Sequence, residues 1–197
     1  MKSKQLPSNM VRLIRLLADT KFHTGNELGE HLNVSRTAIW KQIKQLENLG
    51  VKIDKSQVNG YKFSKPMVLI EKKQISTFLN SKEMQKACHF KILSTVTSTN
   101  DYLKSRKNTN EFDFCIAEQQ TEGRGRFNRA WFSPFAENIY LSCSWQLHCD
   151  VSELSGISLI IGMIVIDTLH AYGLDVPFKV KWPNDVYYNK QKVAGSL

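Results

Sequence analysis

Residues 121–129 read TEGRGRFNR, a run in which glycines and arginines alternate between two stretches that predict β-strands. Residues 113–117 (DFCIA) precede the run and residues 138–145 (NIYLSCSW) follow it. Glycine lets a backbone approach a ligand closely, and arginine offers a planar fork of donors for carboxylate or phosphate. The run therefore predicts an anion-binding loop in preference to a solvated basic loop. No Gly-Lys-Ser/Thr follows, which excludes a Walker A loop.

Charge is spread unevenly along the chain of 197 residues, whose formal net charge is +9. Residues 1–65 hold 12 Lys+Arg and 5 Asp+Glu, whereas residues 66–197 hold 15 and 13. The positive excess therefore belongs to the first third of the chain. A compact basic module followed by a near-neutral one favours a nucleic-acid-binding domain followed by a domain with a different function.

Composition indicates a globular protein, with 42% hydrophobic and 23% charged residues. The four cysteines form no CxxC pair or zinc spacing, so we expect no disulfide framework and no metal site built by cysteines. No apolar region follows the basic first residues, and the apolar stretch 154–169 is short and contains polar groups. We expect a buried helix at 154–169, no membrane partner and a cytoplasmic location.

The first 65 residues predict a winged helix-turn-helix domain. Thr24 and Glu27 form a capping box, and Ser35 caps a longer helix whose positions Ile39 and Ile43 share one apolar face. The expected helices and strands cover residues 8–19, 25–32, 36–49, 51–54 and 60–63. Pro66 marks the expected boundary, with a second domain over residues 66–197.

A basic outer face on the third helix predicts DNA binding, in preference to a small helical domain whose basic residues are merely solvated. The expected DNA-contacting set consists of Gly25, Ser35, Arg36, Thr37, Lys41 and Lys44. Within it, Arg36, Thr37 and Lys41 are expected in the groove. Phosphate contacts are expected from Lys44 and from three wing lysines, Lys52, Lys55 and Lys62.

The second domain alternates strands and helices, which predicts an α+β fold with a mixed sheet. Ser98 or Thr99 is expected to cap a helix, and Trp131 to wall an apolar pocket, whereas Phe132 is expected in the core. Strands are expected at residues 88–93, 113–117, 138–145, 176–181, from 187, and 193–197. The last strand has no partner visible in the sequence.

Five stretches together resemble the bacterial biotin protein ligases of the bifunctional kind, which also repress biotin synthesis genes. They are Ser98-Thr99-Asn100, residues 120–129, residues 131–134, Lys181-Trp182-Pro183-Asn184-Asp185, and Lys192-Val193-Ala194-Gly195. The resemblance implies a winged helix-turn-helix followed by a mixed-sheet catalytic domain of the biotin/lipoate ligase type. It also implies operator DNA as a partner.

The resemblance further implies a two-step reaction. Biotin and ATP, with Mg²⁺, give biotinyl-5′-adenylate, and a lysine of a biotin carboxyl carrier protein then takes the biotin. Catalysis is implied for Arg124, Arg126 and Lys192. Binding of biotin or adenylate is implied for these three and for Ser98, Thr99, Asn100, Gln120, Gly123, Gly125 and Trp131. The nucleotide and metal are implied to lie near Lys181, Asn184 and Asp185.

Two departures from the family pattern define the alternatives. Phe127 and Asn128 stand where the family loop has a basic residue and glycine, and the family continues past the Val193-Ala194-Gly195 strand. The chain is therefore expected to hold the first portion of the catalytic domain only. One alternative is a DNA-binding regulator with an impaired ligase domain, and another is a relative of lipoate ligases. Dimerisation in the adenylate-bound state is expected from the family.

Overall fold

A computed structural model of the protein describes residues 3–79, 81–106, 110–148, 150, 154 and 156–197. Contacts divide the chain into two compact units. The first is Met1–Arg124 with Arg129–Gln146, and the second is Gly125–Asn128 with Leu147–Leu197. The boundary between residues 65 and 66 is not where the units divide, and the two-domain division at that point stays a prediction.

The first unit contains six helices and seven strands among its described residues. In chain order they are β1 (Ser3–Lys4), α1 (Ser8–Leu17), α2 (Gly25–Leu32), α3 (Arg36–Asn48), β2 (Ile53–Ser56), β3 (Gly60–Phe63), α4 (Lys72–Thr77), α5 (Lys82–Ala87), β4 (Cys88–Leu93), β5 (Thr95–Val96), α6 (Thr99–Lys104), β6 (Phe112–Ala117) and β7 (Tyr140–Trp145).

The caps of α2 and α3 form as the sequence predicts. Thr24 Oγ1 accepts a hydrogen bond from Glu27 N at 3.2 Å, and Thr24 N donates to Glu27 Oε2 at 2.8 Å. Ser35 Oγ accepts from Ala38 N at 3.2 Å. Asn33 ends α2 in the left-handed region with φ 54°. These contacts satisfy backbone groups that a helix leaves unpaired at its ends.

The wing is an antiparallel pair of β2 and β3, with Ile53 opposite Phe63 and Ser56 opposite Gly60. Gly60 has φ 89°, and a Cβ there would lie 2.1 Å from the carbonyl oxygen of His23. Only glycine fits this turn, because both the backbone angle and the close approach exclude a side chain. The turn ties the wing to the segment between α1 and α2, where His23 pairs with Tyr61.

One apolar core joins the winged helix to a segment far along the chain. Its buried members include Leu13, Leu28, Ile43 and Phe63 from the winged helix, together with Phe135. Phe135 is 3% exposed and belongs to the stretch that follows the glycine–arginine run. The core of the winged helix is therefore completed by a residue of the predicted catalytic domain.

The mixed sheet expected in the second half of the sequence is present in the first unit. β4 runs parallel to β6, and β7 pairs antiparallel with β6, with Ala117 opposite Tyr140. Cys115 is fully buried in β6, where burial raises the pKa of its thiol to about 12. Cys115 thus behaves as a small buried hydrophobe, whereas Cys88 and Cys143 are only partly buried.

The second unit contains one long helix and a three-stranded antiparallel sheet. They are α7 (Ile157–Ala171), β8 (Lys179–Lys181), β9 (Asp185–Tyr188) and β10 (Gln191–Gly195), in the sheet order β10-β9-β8. Gly162 of α7 approaches Val180 and Val186 of the sheet. Ser196 Oγ donates to the carbonyl oxygen of Ser158 at 3.3 Å.

Two predictions about the second unit are wrong. The helix predicted at 154–169 was expected to be buried, but Gly162 is the only buried residue of α7, and Met163 is 59% exposed. Its sequence is apolar on all sides, so the sequence pattern could not indicate which face packs on the sheet. The last strand also differs, because it begins at Gln191, ends at Gly195 and pairs with β9.

Candidate functional site

The N-terminus of α6 and Gln120 form the centre of the site in the first unit. Thr99 donates twice to Gln120 Oε1, from its backbone N at 2.9 Å and from Oγ1 at 3.1 Å. Ser98 caps α6 by accepting from Asp101 N at 3.3 Å. Ser98 and Thr99 are both buried, at 5% and 4% exposure. Because two donors hold one amide oxygen, the orientation of the Gln120 side chain is defined.

A buried serine, which the sequence did not single out, holds the other end of the same amide. Ser133 Oγ accepts from Gln120 Nε2 at 3.3 Å and donates to the carbonyl oxygen of Trp131 at 3.1 Å. Thr99 Oγ1 also lies 2.9 Å from Ser142 Oγ of β7. Ser133 belongs to the family-like stretch 131–134 but was given no role, and Ser142 was not singled out. Only the fold places these two serines beside Gln120 and Thr99.

Gly123 closes the base of the glycine–arginine loop. Its carbonyl oxygen accepts from Trp131 N at 2.8 Å, and Arg124 pairs with Ala130 in an isolated antiparallel bridge. A Cβ at Gly123 would lie 2.6 Å from Ser133 Oγ and 2.7 Å from the carbonyl oxygen of Trp131. The first glycine of the run is therefore required by close packing within the protein, whereas the sequence had suggested a close approach to a ligand.

Arg124, the first arginine of the run, has a carboxylate partner. Its guanidinium forms an ion pair with Asp101 in the first turn of α6, and both side chains are partly exposed. Asp101 was not among the predicted site residues, although it directly follows Asn100. The pair keeps the Arg124 fork beside the same helix N-terminus that supplies Ser98 and Thr99. Asn100 itself is half-buried in α6.

The aromatic residues of the loop differ from expectation. Trp131 is 36% exposed, in keeping with a pocket wall, whereas Phe132 is 87% exposed and the prediction that it belongs to the core is wrong. The buried aromatic residue of this segment is instead Phe135, three positions later. A run of apolar and polar side chains at this spacing does not indicate which ring turns inward.

The tip of the run, which belongs to the second unit, is a short turn over Arg126–Asn128. Phe127 and Asn128 both adopt left-handed angles, with φ 55° and 56°. Left-handed geometry at Asn128 agrees with the tolerance expected of asparagine. The Arg126 guanidinium lies 5.5 Å from the centre of the exposed Phe127 ring. Gly125 precedes this turn.

A second cluster lies within the antiparallel sheet of the second unit. Lys192 Nζ lies 2.6 Å from Asp185 Oδ1. That oxygen is buried, so the ion pair is shielded from water. A Cβ at Gly195 would lie 2.9 Å from Lys192 Cε and 3.1 Å from Asp185 Oδ1. Gly195 therefore leaves room for the ion pair, and the sequence had placed Asp185 in a turn instead of at the start of β9.

Asn184 and Lys181 flank this ion pair in sequence. Asn184 Nδ2 donates to the carbonyl oxygen of Ser196 at 2.5 Å, and Lys181 Nζ lies 5.0 Å from the centre of the Tyr187 ring. Among the described residues, no group of three acidic, histidine or cysteine side chains could hold a metal ion. A metal site made entirely of protein ligands is therefore not found in that part of the chain.

The exposed face of α3 holds the predicted groove residues. Arg36, Thr37 and Lys41 are all exposed, while Ile39 and Ile43 on the opposite face are fully buried. A Cβ at Gly25 would lie 3.1 Å from Arg36 Cγ, so this glycine forms a surface against which the arginine stem lies. The DNA-contacting role of these residues is not tested by the structure and stays a prediction.

Three of the four predicted phosphate-contacting lysines already have a carboxylate partner. Lys55 Nζ lies 2.6 Å from Glu47 Oε1, and Lys44 Nζ lies 3.2 Å from Glu47 Oε2. The hydrogen bond from Lys55 lowers the pKa of Glu47 and raises the pKa of Lys55. Lys62 similarly lies 3.4 Å from Asp54 Oδ2. These lysines would exchange partners on binding a phosphate, whereas Lys52 is exposed.

Glu118 is a buried carboxyl group that sequence reasoning did not assign. It is 4% exposed, and its Oε1 accepts from Ile70 N at 2.7 Å in the segment between the wing and α4. Burial raises its pKa, and the hydrogen bond from Ile70 partly offsets this effect. Glu118 thus anchors the segment between the wing and α4 beside the strand that leads to Gln120.

Comparison with known proteins identifies both halves of the chain. A family model described as "HTH domain" matches residues 11–62, and one described as "Biotin/lipoate A/B protein ligase family" matches residues 92–197. The "Bifunctional ligase/repressor BirA" of Escherichia coli (strain K12) is 40% identical over 198 residues. The match covers 100% of this chain and 59% of that protein.

Further relatives are biotin ligases of other organisms. "Biotin--protein ligase 1, chloroplastic" of Arabidopsis thaliana is 32% identical over 133 residues, covering 62% of this chain and 35% of that protein. The solved structure "Biotin protein ligase from Aquifex aeolicus in complex with biotin and ATP" superimposes with a TM-score of 0.46 at 34% identity, over 55% of this chain and 45% of that chain.

The chain thus spans about three-fifths of the length of the Escherichia coli relative. The resemblance to bifunctional ligases with an amino-terminal helix-turn-helix is confirmed. Among the described residues, no helix combines the length and apolar character needed to cross a bilayer. The ligase model matches more than half of the residues of this chain, and the chain therefore belongs to the Biotin/lipoate A/B protein ligase family.

Proposed function

We propose that this protein is a biotin protein ligase. In the first step, the biotin carboxylate attacks the α-phosphorus of ATP, and the bond to pyrophosphate breaks as the mixed anhydride forms. In the second, the amine of a carrier-protein lysine attacks the anhydride carbonyl, AMP leaves and the amine loses its proton. No side-chain nucleophile is needed for either step.

The Thr99–Gln120–Ser133 hydrogen-bond network carries this proposal. It fixes two buried hydroxyl groups and the partly buried amide of Gln120 beside the base of the loop that bears Arg124. Such groups suit the ureido end of biotin, and an arginine held next to them suits its carboxylate. The first step joins two anions, so positive charge placed at the reacting carboxylate and phosphate lowers the barrier.

Arg126 and Lys192 are proposed to supply further positive charge to the phosphates. Lys192 is paired with Asp185, so a bound phosphate would compete with a carboxylate for the ammonium group. Mg²⁺ is proposed to arrive with ATP, since a divalent cation can be held largely by substrate phosphates and water. The described residues do not form a protein-only site for it.

The ligase proposal is tested with the 197-residue chain and a purified biotin carrier domain. We expect pyrophosphate release that requires both biotin and ATP, followed by labelling of the carrier lysine. Lipoate in place of biotin is the matched control, and we expect no release with it. Release with lipoate but not with biotin would instead support the lipoate-ligase alternative.

We further propose that the winged helix binds operator DNA and represses biotin synthesis genes. The exposed cationic face of α3 above a complete apolar core supports this second function. Binding should weaken steeply as salt is raised, because each phosphate contact releases counterions. Arg36→Ala and Lys41→Ala should each weaken binding, and unchanged binding in both variants would contradict the assignment.

The remaining partners follow from the same family. A biotin carboxyl carrier protein is the proposed acceptor, the adenylate-bound state is proposed to form a homodimer, and the cytoplasm is the proposed location. A DNA-binding regulator with an impaired ligase domain is the alternative, and it predicts operator binding without adenylate formation. Sedimentation with and without biotin and ATP would show whether ligand promotes the dimer.

A further inference from the structure

Trp40 lies at the centre of the exposed face of α3 and takes no part in the apolar core. Ile39, Ile43 and Leu46 complete the buried face of the helix and are fully inaccessible to solvent. Trp40 is 50% exposed. Its indole N–H has no hydrogen-bond partner among the residues that the structure describes. Its ring is therefore available for contact with another molecule.

The neighbours of Trp40 on this face are polar or cationic. Arg36 lies one turn before it and Lys44 one turn after it. Thr37 lies three residues before it on the same face, and Lys41 follows it directly in sequence. A single exposed apolar side chain is common on protein surfaces. What distinguishes Trp40 is its position, because the first half of a recognition helix is the part that contacts base edges.

We propose that Trp40 contacts the C5-methyl group of a thymine in the major groove, so that α3 selects an A·T pair at one position of each half-site. This inference rests on the proposed DNA binding. The thymine methyl is the apolar group that the major groove presents, and apolar side chains recognise it by contact. Lysine and arginine contacts to phosphates hold the protein in place but carry no sequence information.

The geometry of the face assigns different tasks to its members. Gly25 lies against the aliphatic part of the Arg36 side chain, which limits where the guanidinium can lie at the start of the helix. Lys44 is partly engaged by Glu47 at 3.2 Å. Trp40 is the large aromatic group between these two charges, and its flat ring can cover a methyl group that neither cation would recognise.

The experiment uses duplex DNA selected by the full chain from a randomised pool. Each thymine of the selected site is then replaced, one at a time, by deoxyuridine, which lacks the methyl group but keeps the hydrogen-bonding edge. We expect one position per half-site at which the wild-type chain binds about fourfold more weakly, the effect of losing one buried methyl group. Trp40→Ala should bind the unmodified duplex about tenfold more weakly and should not respond to uracil at that position.

Two further variants separate base contact from other effects. Trp40→Phe keeps an aromatic ring, so it should still bind the uracil-containing duplex more weakly than the thymine-containing one. This variant can be measured even if Trp40→Ala folds poorly. Lys52→Ala should lower the slope of log affinity against log salt by about one unit and leave the uracil effect unchanged. Trp40→Ala should leave that slope unchanged, since no phosphate contact is lost.

The same measurements distinguish failure of this inference from failure of DNA binding. If the wild-type chain binds a selected site but no thymine position is sensitive to uracil, Trp40 does not read a methyl group. An equal uracil effect in the wild-type chain and Trp40→Ala would also overturn the inference. If no duplex is enriched at all, the proposed operator binding fails together with it.

Discussion

At the scale of single residues, Gly123 leaves no room for added volume at the base of the loop. A methyl group there would meet Ser133 Oγ at 2.6 Å and the carbonyl oxygen of Trp131 at 2.7 Å. To remove this overlap, either Ser133, which accepts a hydrogen bond from Gln120, or the backbone at the base of the loop would have to move. The residue therefore links the packing of the loop to the orientation of the amide in the site.

Gly123→Ala is expected to lower the free energy of unfolding by about 1–3 kcal/mol, the usual cost of overpacking. We expect a larger relative loss of biotin affinity, about 10- to 100-fold, because a small displacement of binding groups is costly. Isothermal titration with biotin measures this effect. Gly156→Ala is the matched control, since nothing lies within 4 Å of its Cβ position, and it should bind biotin normally. Equal affinity in the two variants would contradict this role of Gly123.

Glu118 gives a prediction about pH. Burial raises the pKa of the Glu118 carboxyl group in the folded protein. The folded state therefore has its full stability while Glu118 is neutral, below the pKa of the unfolded chain. This stability is lost as the pH rises through the higher pKa of the folded state and Glu118 becomes charged. Glu118→Gln stays neutral and keeps an acceptor for Ile70 N–H. We expect the Tm of this variant at pH 7 to exceed the wild-type value by about 2–4 °C for each kcal/mol by which the free energy of unfolding rises. The difference should shrink as pH is lowered towards 4.

Thermal unfolding across pH 4–8 tests this prediction. Glu122→Gln changes an exposed carboxylate nearby in sequence and should follow the wild-type chain over the whole range. A Glu118→Gln difference that is constant with pH, or a lower Tm at pH 7, would show that burial does not disfavour the charged form.

At the scale of elements, the winged helix depends on local signals that act within a few residues. Ser35 Oγ caps α3 at 3.2 Å from Ala38 N, and the Thr24–Glu27 box caps α2. Such signals lie wholly in the sequence, which is why the helix starts at Gly25 and Arg36 could be predicted. Strand pairs, by contrast, depend on segments distant in the chain, and β10 was assigned no partner until the fold placed it beside β9.

Ser35→Ala should lower the free energy of unfolding by about 1 kcal/mol through loss of the cap. Gln45→Ala lies on the exposed face of the same helix and should change stability by less than about 0.5 kcal/mol. Urea titration of both variants measures the difference. Equal stability of the two variants would mean that the hydrogen bond between Ser35 Oγ and Ala38 N stabilises the folded protein no more than the hydrogen bonds to water that it replaces.

At the scale of the whole molecule, the segment after the loop contacts both the proposed biotin site and the core of the winged helix, within the first unit. Ser133 bonds to Gln120, and Phe135, two positions later, is buried in the winged-helix core. The sequence predicted Ser98, Thr99, Gln120 and Gly123 because each belongs to a motif. It could not predict Ser133, Asp101 or Phe135, because their roles arise from contacts between segments far apart in the chain.

Phe135→Ala should lower the free energy of unfolding by about 3–5 kcal/mol, since a buried aromatic ring leaves a cavity. Phe132→Ala is the matched control, because that ring is 87% exposed and its removal should have little effect. Circular dichroism during urea unfolding compares the two. A larger loss for Phe132→Ala than for Phe135→Ala would place the core of the winged helix elsewhere.

Mass spectrometry of biotinyl-5′-adenylate tests the ligase assignment most directly. The 197-residue chain is incubated with biotin, ATP and Mg²⁺, and the adenylate is quantified against an Arg124→Ala variant. We expect the wild-type chain to form adenylate, and Arg124→Ala to form it about 10²- to 10³-fold more slowly, as for removal of a group that stabilises developing charge. Equal rates for the two chains, or no adenylate from the wild-type chain, would contradict the proposed role of the loop.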